Sequence, residues 1–218
     1  MTTRTPIAPS LADQATRLLE ELVVVSELAP GSTVTEQELC DRIGLGRTPV
    51  REAVQRLAAQ RLLKVLPRRG IRVTHVEAME YLGLLETRRA LNRLMAGLAA
   101  VRASQDQRSD LRDCVLAMTD AAGRDELKDY LRQDQRCYEI VQEAAGNPSL
   151  VQAMEPLHAH CRRFWCLYRH AWDLEEAARG QLALMKAIIR GDEEGATAAS
   201  DAQMDYLDRF AREALDLG

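Results

Sequence analysis

Arg47 and Arg51 stand four residues apart in the stretch IGLGRTPVREAVQRL, a spacing that puts both guanidinium groups on one face of a helix, one turn apart. A guanidinium fork matches the O6 and N7 acceptors of a guanine edge. Two such forks near a helix N-terminus can therefore read bases in a major groove, each contact carrying about 1–3 kcal/mol of discrimination. Thr48 and the N–H groups of the same helix N-terminus suit a phosphate oxygen, which fixes register. Arg68 and Arg69, followed by Gly70, occupy a short turn that could bring two more cations to the backbone or the minor groove. Arginines four apart on a helix are more often a plain solvated face, so the surrounding charge has to decide. Residues 42 to 72 hold nine basic side chains (Arg42, Arg47, Arg51, Arg56, Arg61, Lys64, Arg68, Arg69 and Arg72) against one acid, Glu52. That stretch is strongly basic inside a chain whose net charge is −4, so an acidic average hides a basic patch. Arg56 and Arg61 read as ordinary surface residues.

The elements that must hold these residues follow from the pattern around them. Leu11 opens a helix with Leu18, Leu19, Leu22 and Val25 at helical spacing, and Pro30-Gly31 stops it. Thr35 and Glu38 have the form of a capping box that starts a short helix through Leu39 and Ile43, ended by Gly44 and Gly46. A third helix takes Thr48 and Pro49 in its first turn and shows an apolar stripe at Val50, Val54 and Leu57. In LLKVLPRRGIRVTHV the period changes to two, with Pro67 to Gly70 as the turn of a two-stranded hairpin. Three helices and a hairpin in this order predict a winged helix-turn-helix over residues 11 to 75. Residues 1 to 10 are expected to be a mobile arm. From 76 to 218 the pattern is helical throughout, with helices expected near 77–103, 107–121, 125–145, 149–170, 174–190 and 192–215, and breaks at AAGNPSL and RGD. The boundary is expected between Thr74 and Glu77. The fold class is thus mostly α, an N-terminal winged helix-turn-helix plus a C-terminal all-α helical bundle.

Composition agrees and excludes several classes. The 218 residues are 46% hydrophobic but only 4% aromatic, which supplies a core dominated by aliphatic side chains. Cys40, Cys114, Cys137, Cys161 and Cys166 are odd in number and follow no CxxC spacing, so they read as free thiols of a reducing, cytoplasmic compartment. No apolar run approaches the ~20 residues of a membrane helix, and the N-terminus has no signal-peptide core. An enzyme is not expected, since GxSxG, P-loop, HExxH and GxGxxG patterns are all missing.

The stretch LAPGSTVTEQELCDRIGLGRTPVREAVQRLAAQRLLKVLPRRGIRV resembles the DNA-binding domain of the GntR family of bacterial transcription regulators. The likeness lies in the Pro-Gly before the second helix, in RTPVREA, and in a wing with Arg-Gly. One departure is Gly46, where the family usually carries Ser or Thr. The resemblance implies Arg47 and Arg51 as base readers, Arg42 and Thr48 as phosphate or groove contacts, and Arg69 with Gly70 as the wing contact, beside the Arg68 of the same turn. The second half is similar to the FadR-type, all-helical effector domain of that family, the FCD class, in ETRRALNRLMAGLAA, AAGNPSL and LMKAIIRGDEEGA.

Many FCD domains hold a divalent metal with one Asp and three His, and the resemblance places those four positions at Asp134, Tyr138, Gln181 and Gln203. Only the Asp remains. A phenol that is largely protonated near neutral pH and two amides are poor substitutes for imidazole, so no metal and no cofactor are expected. Asp134, Tyr138, Gln181 and Gln203 could instead floor a pocket for a polar or carboxylate effector, with Arg88 pairing its carboxylate. The alternative is that these groups only satisfy one another. A second cluster, His158, His160 and His170 with Cys161 and Cys166, packs its candidates too closely to share one helix face. The aromatic group Phe164, Trp165, Tyr168 and Trp172 reads as core or dimer interface. These readings converge on a homodimeric, effector-responsive regulator of operator DNA, a repressor in the leading form. The alternatives are a regulator that has lost its effector, or a partner-binding helical protein with a vestigial wing.

Overall fold

A computed structural model of the chain describes residues 10–76, 78–169 and 173–216. Among them are nine helices and one small sheet. The expected arm lies outside the described residues except for Ser10, and so do Glu77, His170 and Trp172. The chain divides into two compact units. One takes in the residues before the fourth helix together with Ala159–Leu167, and the other comprises Ala78–His158 and the residues from Tyr168 onward.

In the first unit, α1 (Leu11–Val24), α2 (Glu36–Ile43) and α3 (Arg47–Ala59) are followed by strands β2 (Leu63–Leu66) and β3 (Gly70–Val73). Ser10 and Asp13 close a capping box on α1, and Thr35 and Glu38 close the expected one on α2. In the latter, Glu38 N–H donates to Thr35 Oγ1 at 3.1 Å while Thr35 N–H donates to Glu38 Oε2 at 2.6 Å. That bond holds the Glu38 carboxyl below its ordinary pKa. Gly44 ends α2 in the left-handed conformation at φ 67°, which makes the tight turn into α3. Leu19, Val23, Leu39, Val50, Val54, Leu57, Leu62 and Val73 are buried in one apolar core. The stripe expected of α3 is thus its inner face, each such side chain contributing about 1.5–3 kcal/mol relative to exposure.

The hairpin differs from expectation by one strand. β1 (Thr33–Val34) pairs antiparallel with β3, giving a three-stranded sheet in the order β1-β3-β2. Two residues are too few to show a period in sequence. Gly70, at φ 98°, lies where an added Cβ would stand 2.7 Å from the Val34 carbonyl oxygen, so the third strand approaches only because the residue has no side chain.

The second unit is built from α4 (Ala78–Arg102), α5 (Gln105–Gly123), α6 (Leu127–Ala145), the first part of α7 (Pro148–Tyr168), α8 (Asp173–Arg190) and α9 (Glu193–Asp216). α4 packs on α6, α8 and α9, and α5 on α6 and α8. The breaks at AAGNPSL and RGD fall where the sequence puts them. Asn147 caps α7 by accepting from Leu150 N–H at 3.2 Å, with Pro148 leading the helix, and Asp192 accepts from Gly195 N–H at 2.8 Å. Arg108 ties two helix ends together. Its guanidinium donates to Ala100 O (2.8 Å), Ala103 O (3.1 Å), Ile189 O (3.0 Å) and Ile188 O, carbonyls at the C-terminal ends of α4 and α8.

Candidate nucleic-acid interface and effector cavity

α3 presents its N-terminal turn outward. Arg47, Thr48 and Arg51 are exposed, as are Arg42 at the end of α2 and Arg68 and Arg69 in the β2–β3 turn. In that turn Arg69 N–H donates to Leu66 O at 3.0 Å, and Arg68 follows Pro67 with φ at 60°. Proline then a positive φ is the pattern of a type II turn, usually completed by Gly or Asn; here an arginine accepts the strain and stays exposed. Gly46 caps α3 with no side-chain hydrogen bond, as its lack of a hydroxyl requires.

The two central arginines are held from α2. Arg51 spans Glu36 with two bonds, Nη2 to Oε1 at 3.0 Å and Nε to Oε2 at 3.2 Å, and Glu36's hydrogen bond and charge raise the guanidinium above its ordinary pKa. Arg47 Nη2 donates to Gln37 Oε1 at 3.0 Å. Arg56, by contrast, is committed to α1 through Asp13 at 2.6 Å, and this bond with those from Ser10 lowers the Asp13 carboxyl to about 2. The basic patch therefore sorts into exposed cations at the front of α3 and one structural tie behind it.

In the second unit a small cavity of about 20 Å³, open to solvent, lies between α4, α6, α8, α9 and the middle of α7. Arg88, Tyr138, Gln181 and Gln203 line it, so four of the five expected residues come together. Asp134 stands directly behind, accepting from Gln181 Nε2 at 2.6 Å. Two further polar residues line the cavity that sequence reasoning did not place there: Asn92, which donates to Ser200 Oγ at 3.1 Å, and His158. His158 Nδ1 lies 3.2 Å from Arg88 Nη2, and its ring stacks on Tyr138 with centroids 3.6 Å apart. Met95, Leu184 and Met185 give the walls an apolar surface.

The donor set does not fit the metal that many FCD domains carry. The Asp134 carboxylate is engaged by an amide N–H, and one imidazole with one carboxylate falls short of the ligands a tight transition-metal site uses. Among the described residues no group of three or more His, Cys, Asp or Glu is placed to hold a metal. The HAHC cluster does not assemble either. His158 faces the cavity, while His160 Nε2 is 2.8 Å from Gln60 O within the first unit. Phe164 and Trp165 are buried, and Tyr168 is 40% exposed.

The family model described as bacterial regulatory proteins, gntR family, matches residues 11–73, and the FCD domain model matches residues 83–206. The chain belongs to the gntR family, with an FCD domain. The HTH-type transcriptional repressor RspR of Escherichia coli strain K12 is 24% identical over 216 residues, which is 98% of this chain and 95% of RspR. The Nta operon transcriptional regulator of Aminobacter aminovorans is 26% identical over 141 residues, 65% of this chain and 67% of that protein. Among solved structures, Escherichia coli McbR/YncC is similar in fold, with TM-score 0.81 and 19% identity over 94% of this chain and 98% of its own. This gntR-family chain is a DNA-binding transcriptional regulator, and the relatives it matches are regulators rather than enzymes. None of its described helices is long and apolar enough to cross a membrane.

Proposed function

We propose that the chain is a homodimeric cytoplasmic repressor whose hold on operator DNA is set by a small anionic or polar metabolite in the helical unit. The observation that carries this reading is the exposed front of α3, where Arg47, Thr48 and Arg51 project together from the N-terminus of a helix whose other face is core. Arg47 and Arg51 read guanine edges; Arg42 and Thr48 hold phosphates; Arg68 and Arg69 approach the DNA through a turn whose shape Gly70 permits. RspR, similar over nearly the whole chain, is named a repressor, which supports that sign of regulation.

The effector reading rests on the cavity. Arg88 and His158 supply adjacent nitrogen donors, and Asn92, Tyr138, Gln181 and Gln203 surround them with polar groups suited to a carboxylate bound without a metal. The cavity as it stands has room for about one water molecule, so a metabolite would enter only as the side chains lining it move apart. The Asp134–Gln181 hydrogen bond also favours a second reading, in which the polar groups satisfy one another and no effector binds. Thermal unfolding against a panel of small mono- and dicarboxylates separates the two, since a ligand of the native state raises the midpoint with concentration.

The dimer reading has its own surface. On α4, Leu91, Leu94, Leu98 and Val101 recur at spacings of three and four, with Leu94 47% and Val101 61% exposed, a seam suited to the same helix of a second copy. Replacing Leu94 and Val101 by Glu should give monomers in light scattering after gel filtration; an unchanged mass would remove α4 from the interface.

The function as a whole is tested by fluorescence anisotropy against duplexes from the gene's own upstream region, at several salt concentrations. Sequence-selective binding lost on Arg47→Ala and on Arg51→Ala supports it. Binding that follows salt alone and ignores both changes removes base reading from α3.

A further inference from the structure

Cys114 on α5 and Cys137 on α6 are 23 positions apart in sequence but adjacent in the bundle. The Cys137 thiol donates to Cys114 Sγ at 2.8 Å, and both side chains are 1% exposed. Cys114 Sγ also lies 3.1 Å from the Gln133 carbonyl oxygen, so the pair is held from one further side by α6. Two sulfurs joined in a disulfide stand about 2.05 Å apart, so closing this pair asks for movement of less than ~1 Å between helices already packed on each other. We propose that Cys114 and Cys137 form a redox-modifiable dithiol, which a small peroxide closes reversibly to a disulfide tying α5 to α6.

The chemistry balances with the peroxide as oxidant. The Cys114 thiolate attacks one peroxide oxygen, the O–O bond breaks, and the departing hydroxide takes up the proton Cys114 gave, leaving a sulfenic acid and one water. Cys137 sulfur then attacks the sulfenic sulfur. The S–S bond forms as the S–O bond breaks, and the leaving hydroxide carries the Cys137 proton away as a second water. Two thiols have lost two electrons and the peroxide has gained them. The hydrogen bond from Cys137 lowers the Cys114 thiol's pKa against the opposing effect of burial, which makes Cys114 the attacking sulfur. A peroxide barely larger than water suits two buried sulfurs better than a bulky disulfide reagent does. Paired thiols of this kind in a reducing compartment are used transiently rather than as permanent staples.

The bond would close on α6 between Asp134 and Tyr138, and its influence on the cavity rests on the effector reading; the bond itself does not. The experiment therefore reads the bond. Reduced full-length protein is exposed to hydrogen peroxide, quenched with catalase, denatured, alkylated with N-ethylmaleimide and examined by intact-mass and peptide-mapping mass spectrometry. The expected result is loss of both alkyl adducts from Cys114 and Cys137, a mass lower by two hydrogens, a cross-linked peptide joining the two, and full recovery with dithiothreitol. Cys166→Ala, which leaves the pair intact, should retain the cross-link, and Cys114→Ser or Cys137→Ser should lose it. The proposal is overturned if Cys114 and Cys137 stay fully alkylated while Cys166 oxidises, if they run on to sulfinic acid without a cross-link, or if the cross-link joins other cysteines.

Discussion

The front of α3 and the cavity of the helical unit are both polar constellations built around arginine, yet they are made in opposite ways. Arg47 and Arg51 come from one turn of one helix, stand in solvent and are held by Gln37 and Glu36 of the preceding helix. Arg88 is 6% exposed and meets His158, Tyr138, Gln181 and Gln203 from four other helices. A cation in water is cheap to keep and easy to redirect, which suits a partner as large and highly charged as DNA. A buried cation must be matched group by group, and that makes it selective for one small shape.

The largest effect is expected at the front of α3. Removing either Arg47 or Arg51 to Ala should weaken selective binding by roughly 10- to 100-fold while the thermal midpoint stays put, because each bidentate base contact is worth about 1–3 kcal/mol and neither side chain is core. A large loss of stability instead would make the arginines structural. Arg88→Met should do the reverse, leaving DNA affinity in the absence of effector intact. It should weaken carboxylate affinity, read from the ligand concentration needed to raise the thermal midpoint, about 10-fold or more, as expected for a charged hydrogen bond of about 1.5–3 kcal/mol; unchanged ligand response would remove Arg88 from recognition.

A smaller effect should come from Glu36→Gln, which releases Arg51 and deletes an acid beside it. Because the pair is exposed and screened by solvent, DNA affinity should rise by only ~2- to 5-fold. A fall in anisotropy-measured affinity would show that Glu36 aims Arg51 rather than restraining it. The smallest change expected is in Gly46→Ser. A Cβ there meets nothing within 4 Å and φ is −70°, so the new hydroxyl can cap α3 and add a few tenths of a kcal/mol, measurable by urea unfolding. Destabilisation would mean the serine cannot adopt the capping rotamer.

The same contrast governs what could be read without coordinates. Thr35, Glu38, Gly44 and the Val50–Val54–Leu57 stripe are signals carried within one turn or one helix, and the described helices of the second unit fall within two residues of the expected bounds. β1 escaped notice because two residues show no period. In the helical unit, Asp134, Tyr138, Gln181 and Gln203 were brought together only by resemblance to a family, since nothing in their local spacing joins residues on three helices. His158 was legible as a titratable residue but not as a cavity residue: HAHC places it two positions from His160, and the two rings turn out to serve different units. The Cys114–Cys137 contact joins two helices and leaves no mark on the spacing of either.

Arg108 has a consequence for how the helical unit breathes. The last turn of a helix ordinarily frays by itself, because its final carbonyls have only water to lose. Here the ends of α4 and α8 are held by different nitrogens of one guanidinium, so each end that opens gives up side-chain bonds as well as its own turn. These two helices also line the cavity. Their ends should exchange amide hydrogens more slowly than frayed helix ends do, and together, a pattern that hydrogen exchange would show.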